Sequence, residues 1–319
     1  MKSPLLADCH IHAIAFDSEA TRNYGNITSA GGMRKYSHSY IARYHGLNLK
    51  SPDFNELYFT NLDSQVKHSR AVKKGIVFGL DGIYDARGKL DRQRTCFMIT
   101  NDYVYDMVKK KKNLRFAASI NPLRKDALAE LEKSIERKTA LVKLLPNAQD
   151  FSPDNPKLKK FYRAIAAKKI PLLVHTGYEF ALKSTNQSYG QPEKFRMALD
   201  EGVTLIAAHG GATGLVFVEL FKKTLLDLVR RYPDFYLDIS ALSIATRTGI
   251  IPFLRSCPEL KPRLLFGTDY PLPIHFYPFI FSLGLKKIAE IRKIGNYFDQ
   301  YAAIMNELGL LPQKQYLKF

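Results

Sequence analysis

Tryptophan is absent from this 319-residue chain, and cysteine is scarce, with only Cys9, Cys96 and Cys257. Three scattered cysteines build neither a disulfide framework nor a zinc knuckle, and they fit a reducing, cytosolic setting. Long apolar runs are lacking too. The stretch FYPFIFSLGL (276–285) is far too short for a membrane span, so no membrane partner is expected. The opening MKSPLLADCHIHAIAF has no basic region followed by an uninterrupted apolar core and does not read as a signal peptide. No glycine-rich dinucleotide fingerprint follows any apolar run, which removes the main motive for a Rossmann fold. Acidic residues are outnumbered, 30 Asp+Glu against 48 Lys+Arg, for a net charge of +18. Such a balance suits nucleic acid, an acidic membrane surface or anionic small molecules. The densest basic run, Lys109–Lys112, ends a predicted helix, where cations suit the helix dipole. Aromatic–basic interleaving is missing, so a nucleic-acid partner is not expected.

What is present is a rhythm. Eight short apolar runs begin near residues 5, 75, 115, 140, 171, 204, 235 and 263. Segments of helical spacing lie between them, such as KDALAELEKSIERK and VFVELFKKTLLDLVRRY. Lys143, His175, His209, Asp238 and Asp269 follow one another at 32, 34, 29 and 31 residues, the size of one strand-plus-helix unit. Eight such units in one chain of this length predict an α/β fold, a (β/α)8 TIM barrel forming a single domain over 1–319. The irregularity is residues 13–70, a long insertion after strand 1, read as a lid over the barrel mouth. A second insertion, ALKSTNQSYGQPEK (181–194), follows strand 5. The helical segment GLKKIAEIRKIGNYFDQYAAIMNELGL closes the barrel.

The histidines fall on this frame in an orderly way. In the sequence ADCHIH, His10 and His12 stand at i and i+2 on strand 1, so both point to one face. Cys9 alternates with His10 and is expected to point the other way, into packing. His175 ends IPLLVHTG, His209 ends VTLIAAHGG and Asp269 ends RLLFGTDYP. In a closed barrel the C-terminal strand ends converge on one rim. Three imidazoles from this group and the carboxylate are natural ligands for a divalent ion; Zn²⁺ leads, with Mn²⁺, Fe²⁺ and Co²⁺ tolerated by the same set.

These motifs, in this order and spacing, resemble the amidohydrolase superfamily, specifically its amidohydrolase-related branch that also holds aminocarboxymuconate-semialdehyde decarboxylase-like proteins. DCHIH, ALVKLLPNAQDFSPDNP, IPLLVHTG, LIAAHGG, YLDIS and LLFGTDYP carry the resemblance. It implies a distorted TIM barrel with one metal, or two. His10, His12, His175 and Asp269 match the ligands of the main metal. His209 matches the residue that binds a second metal in dinuclear members, or orients water and substrate in mononuclear ones. Lys143 matches the strand position that dinuclear members fill with a carbamylated, bridging lysine. A buried ammonium is costly without a partner, and a bridging ligand, a substrate or anion contact and a structural ion pair remain open for Lys143.

The leading expectation is hydrolysis. A divalent ion lowers the pKa of bound water to about 7. Asp269 then acts as general base, and the metal, His209 or both polarise the carbonyl of an amide, ester or lactone. Non-oxidative decarboxylation of an unsaturated or aromatic carboxylate is the alternative, with Asp269 or His209 moving the proton. Arg247, or Arg34, Lys35 and Arg43 in the first insertion, would pair with the substrate carboxylate. The basicity of the chain favours such a substrate. A TatD-like nuclease shares the opening His-x-His, but Phe78 in VFGLDG stands where that family needs a metal-binding Glu. A catalytically dead barrel would have lost ligands that this chain keeps. Tyr178, Glu179 and His275 are further substrate contacts on this reading. His38, His45 and His68 are expected at the surface, His38 and His45 reaching the mouth only if the insertion folds inward. Asp238 is expected to orient a ligand imidazole or to cap the next element. A homodimer is the default oligomer.

Overall fold

The computed structural model describes residues 6–16, 18–28, 34–314 and 317, with only the backbone of 34–38. Arg34, Lys35 and His38, named above as contacts to the mouth, therefore lie outside the described side chains.

Eight parallel strands form one sheet in sequence order: β1 (Leu6–His12), β2 (Val72–Phe78), β3 (Leu114–Ser119), β4 (Val142–Leu144), β5 (Leu172–Val174), β6 (Leu205–Ala207), β7 (Phe235–Asp238) and β8 (Leu264–Leu265). The sheet curls until its first and last strands meet. Cys9 N–H donates to the Phe266 carbonyl at 3.0 Å, Asp269 N–H to His10 at 2.9 Å and His12 N–H to Tyr270 at 2.8 Å. The eight apolar runs expected from the sequence are these eight strands, and the fold is the TIM barrel.

Alternation sorts the strand residues into two cores. Leu173, Ile206 and Leu265 fill the barrel with Ile76 and Phe78, whereas Leu172, Leu205 and Leu264 face the helices outside. β1 departs from strict alternation. Its pairing with β2 shifts register between Asp8 and Ile11. Cys9 consequently packs inside the barrel, against the sequence expectation, while His10 is buried there as well.

The connection from β1 to β2 corrects another expectation. It is not one lid loop. Helices at Glu19–Asn23, Arg34–Tyr44 and Phe54–Lys67 lie within it. The last of these turns Tyr58, Phe59, Leu62 and Val66 into the outer core, as an ordinary barrel helix does. Residues 27–28 form a short antiparallel ribbon with 97–98. Of VFVELFKKTLLDLVRRY, only Lys222–Arg231 is helical; the preceding residues are not, and Phe217 there is exposed at positive φ. The C-terminal segment is two helices, Ile280–Arg292 and Tyr297–Glu307, the second capped by the Asn296 side chain. No described helix is long and apolar enough to cross a membrane.

Leu62 is fully buried on the helix 54–67. Leu62→Ala is expected to cost about 2–5 kcal/mol of unfolding free energy in urea titration. A cost below about 1 kcal/mol would show that this helix is not part of the barrel's core.

Candidate metal centre

The site lies where the C-terminal strand ends converge. His10 Nε2 lies 3.3 Å and His12 Nε2 3.1 Å from Asp269 Oδ1. The ligating atoms of these three residues all fall within 4.8 Å of one another. His10 is wholly buried, Asp269 nearly so, and His12 stands at the surface of a cavity. Phe78 packs against both imidazoles, with ring centroids 5.3 Å from His10 and 4.8 Å from His12. An aromatic floor thus occupies the place a carboxylate ligand would take in a TatD-like site.

Asp238 sets the chemistry of His10. Its Oδ2 accepts from His10 Nδ1–H at 2.7 Å, and its Oδ1 accepts from the His209 and Ser240 backbone N–H groups at 2.8 and 3.0 Å. The Ser240 hydroxyl also reaches Oδ1, at 2.5 Å. Once His10 donates through Nδ1, Nε2 must carry the lone pair. The remaining tautomers follow from the same contacts. Ser240 gives its proton to Asp238 and so accepts from His209 Nδ1–H at 2.9 Å. His209 Nε2 then accepts from His175 Nδ1–H at 3.2 Å, which leaves a lone pair on His175 Nε2, facing Arg247 at 3.4 Å and Glu179 at 3.5 Å. With these tautomers both ring nitrogens of His209 are engaged, Nδ1 by Ser240 and Nε2 by His175.

His175 does not stand in the three-residue cluster with His10, His12 and Asp269. It meets the site through His209, so three of the four expected ligands are drawn together and the fourth sits one imidazole away. A second group, His10, His209 and Asp238, is also close enough to share an ion. The hydrogen bonds just described already engage its carboxylate.

Lys143, fully buried on β4, has its Nζ 3.2 Å from His10 Nε2 and 5.2 Å from the Phe78 ring centre. Burial pulls its pKa down to about 8. Among the described residues no carboxylate lies within ion-pair distance of it, so the structural ion pair expected as one alternative is not formed. It does not line the cavity either. Burial likewise lowers the pKa of His10, His175 and His209. For Asp269, burial acts upward but the surrounding imidazoles outweigh it and hold the carboxyl well below its usual range.

Backbone strain gathers at the same rim. His209, Ala241 and Asp269 adopt φ values of 60°, 55° and 67°, a region that side chains other than glycine rarely enter. The bonds from His209 N–H to Asp238 and from Asp269 N–H to His10 hold two of them there. Gly177, two residues after His175, has φ +85°, and a Cβ there would lie 2.2 Å from the Ala212 carbonyl.

The cavity above the centre encloses about 360 Å³. Tyr178, Glu179 and Arg247 line it as expected, but His275 does not; its ring lies beside Tyr277, at 5.7 Å. Arg247 is buried, and it ties loops together. NH1 donates to the Thr176 and Ala212 carbonyls and NH2 to that of Tyr178, each at 3.0 Å. The first insertion folds inward far enough to bring His45 into the wall, where Nε2 meets the Pro271 carbonyl at 2.8 Å. His68 is exposed, and so is Arg43, which stays outside the lining. Asp8 and Ser240 received no role from sequence. Asp8 accepts from His10 N–H at 2.9 Å and from the Thr268 hydroxyl at 2.6 Å, and burial raises its pKa to about 7. Ser240 stood in YLDIS, two residues from Asp238 on the same face, which was the available signal.

A sequence model of the amidohydrolase family matches residues 7–280. The chain belongs to the amidohydrolase family. No curated protein matches it. Among solved structures it resembles an uncharacterised TIM-barrel protein from Bordetella bronchiseptica at TM-score 0.59 and 19% identity, covering 95% of this chain and 99% of that one. An amidohydrolase from Burkholderia multivorans matches at TM-score 0.53 and 13% identity over 96% and 99%. A putative 2-pyrone-4,6-dicarboxylic acid hydrolase from Pseudomonas putida matches at 0.51 and 13% over 96% and 98%. At these identities the three show a shared fold. The family is generally metal-dependent, and the cluster of two imidazoles and one carboxylate fits that property in its donor chemistry.

Burial pushes the His45 pKa from 6.5 down to about 4. The unfolded chain therefore takes up a proton that the folded chain refuses until about pH 4, and stability falls as pH drops through that window. Thermal unfolding of His45→Gln is expected to lose stability less steeply than the parent between pH 6.5 and about 4. Parallel curves would show that His45 titrates as in solvent.

Proposed function

We propose that this member of the family is a metal-dependent hydrolase that opens an amide, ester or lactone of a small molecule. The convergence of His10 Nε2 and His12 Nε2 on Asp269 Oδ1 at the base of the cavity carries the reading. Two imidazoles and one carboxylate would hold a single divalent ion, Zn²⁺ first among those the set tolerates. His175 completes the set as fourth ligand on this proposal. When bound, the ion supplies Lewis acidity and lowers the pKa of a water it holds.

The chain's own groups supply the rest. The buried Asp269 carboxylate stays ionised at neutral pH, so it is a proton acceptor rather than a donor at the start of turnover. Its Oδ1 faces the two imidazoles, and Oδ2 lies 3.9 Å from His209 Nδ1 without a bond, leaving that oxygen to take a proton from water and return it to the leaving group. His209 Nε2 accepts from His175 Nδ1–H and so helps to orient that ring. Lys143 would have to give up its contact to His10 Nε2, because that lone pair cannot serve an ammonium and a cation together. Lys143 carbamylation and a second ion are not needed on this reading. The apolar walls exclude bulk water from the reacting group.

Elemental analysis of protein purified without chelator is expected to find a divalent metal in near-stoichiometric amount. His12→Ala should remove both the metal and the turnover measured on a panel of lactones, amides and esters. Full occupancy and activity in that variant would overturn the assignment. Release of CO₂ from aromatic carboxylates, with no hydrolysis across the panel, would instead establish decarboxylation.

A further inference from the structure

The net charge of +18 favours an acidic substrate when the chain is read as a string. The distribution of charge around the cavity points the other way. Two cations are buried near the centre, and neither is offered to a ligand. Arg247 donates to three backbone carbonyls and abuts His175. Lys143 lies behind His10 and off the cavity surface. Among the described residues no other Lys or Arg lines the cavity, whereas the carboxylates of Glu179 and Asp269 do.

Away from the metal centre the wall is mostly apolar, with His45, Tyr178 and Thr246 among its polar members. Ile41, Leu47, Leu49 and Phe54 come from the connection after β1, Phe97 from the short ribbon and Leu182 from the loop after β5. A carboxylate pressed against these side chains would shed its hydration and find no counter-charge among the described residues. A methylene group placed there gains about fourfold in affinity.

We propose that the cavity selects an uncharged substrate whose portion remote from the scissile bond is an apolar aliphatic or aromatic group. The proposal rests on the reading of this cavity as the substrate chamber of a hydrolase. It replaces the carboxylate-bearing substrate expected from composition with a neutral acyl derivative, and it makes Leu49 and its neighbours the residues that set specificity.

Methyl ketones keep the carbonyl and cannot be hydrolysed, so their binding tests the chamber separately from turnover. Calorimetry on the metal-loaded protein would compare 2-butanone, 2-hexanone and 2-octanone with 7-oxooctanoate, which carries a carboxylate in place of the terminal methyl of the longest ketone. The expected result is a Kd falling about fourfold per methylene, with 7-oxooctanoate at least about tenfold weaker than 2-octanone. Leu49→Lys, which adds a cation to the apolar wall, should shift that preference toward the carboxylate by about tenfold or more. A Kd independent of chain length, no measurable binding of 2-octanone, or tighter binding of 7-oxooctanoate would overturn the proposal. The wild-type series decides alone if Leu49→Lys fails to fold. Failure to hydrolyse any ester or amide, with the ketone series intact, would count against the reaction and leave the chamber's selectivity standing.

Discussion

A single carboxylate with no exposure to solvent, Asp238, joins the parts of the centre. It ends β7, receives the ring of His10 from β1 and accepts the backbone N–H of His209 just past β6. Burial alone would make this carboxyl reluctant to ionise. The adjoining His10 imidazole and the Ser240 hydroxyl reverse that tendency and hold its pKa below the usual value. An ionised Asp238 fixes which nitrogen of His10 carries a proton, and the chain through Ser240, His209 and His175 inherits its directions from that choice. The tautomers of three histidines thus depend on one buried charge.

A second buried carboxylate does the corresponding work on the backbone. Asp8 lies on β1 and binds Thr268 beyond β8 through its hydroxyl and its N–H, at 2.6 and 3.2 Å. Those bonds sit beside the contacts that close the barrel. Asp269 follows directly, held at positive φ with its carboxylate turned toward His10 and His12. Closure of the barrel and placement of the Asp269 carboxylate are therefore the same local event. The strained residues His209, Ala241 and Asp269 lie beyond the ends of β6, β7 and β8, and all three line the cavity.

Much of this was legible in the residues because strand and site share a period. Short apolar runs alternating with helical segments marked eight strands, and His10, His12 and Asp269 stood at C-terminal ends of such runs, where a barrel concentrates its chemistry. What could not be read depended on contacts between distant segments. His175 occupies the expected strand end, yet its ring pairs with His209, and no spacing rule reports ring orientation. Arg247 looked available for a carboxylate, whereas three backbone carbonyls engage it. His45 entered the cavity because the connection after β1 packs a barrel helix and folds the preceding residues inward. Cys9 turned inside because a register shift overrode alternation. Substrate preference follows the same logic: total charge is a property of the whole surface, while selectivity belongs to the few side chains that face the chamber.

On the proposed function, Asp238 prepares His10 to ligate through Nε2. Metal affinity of Asp238→Asn, measured by competition with a calibrated chelator on folded protein, tests it most directly. An asparagine cannot supply the negative charge that fixes the tautomer, and affinity is expected to fall about 10–100-fold. A variant that folds and binds the ion as tightly as the parent would contradict it.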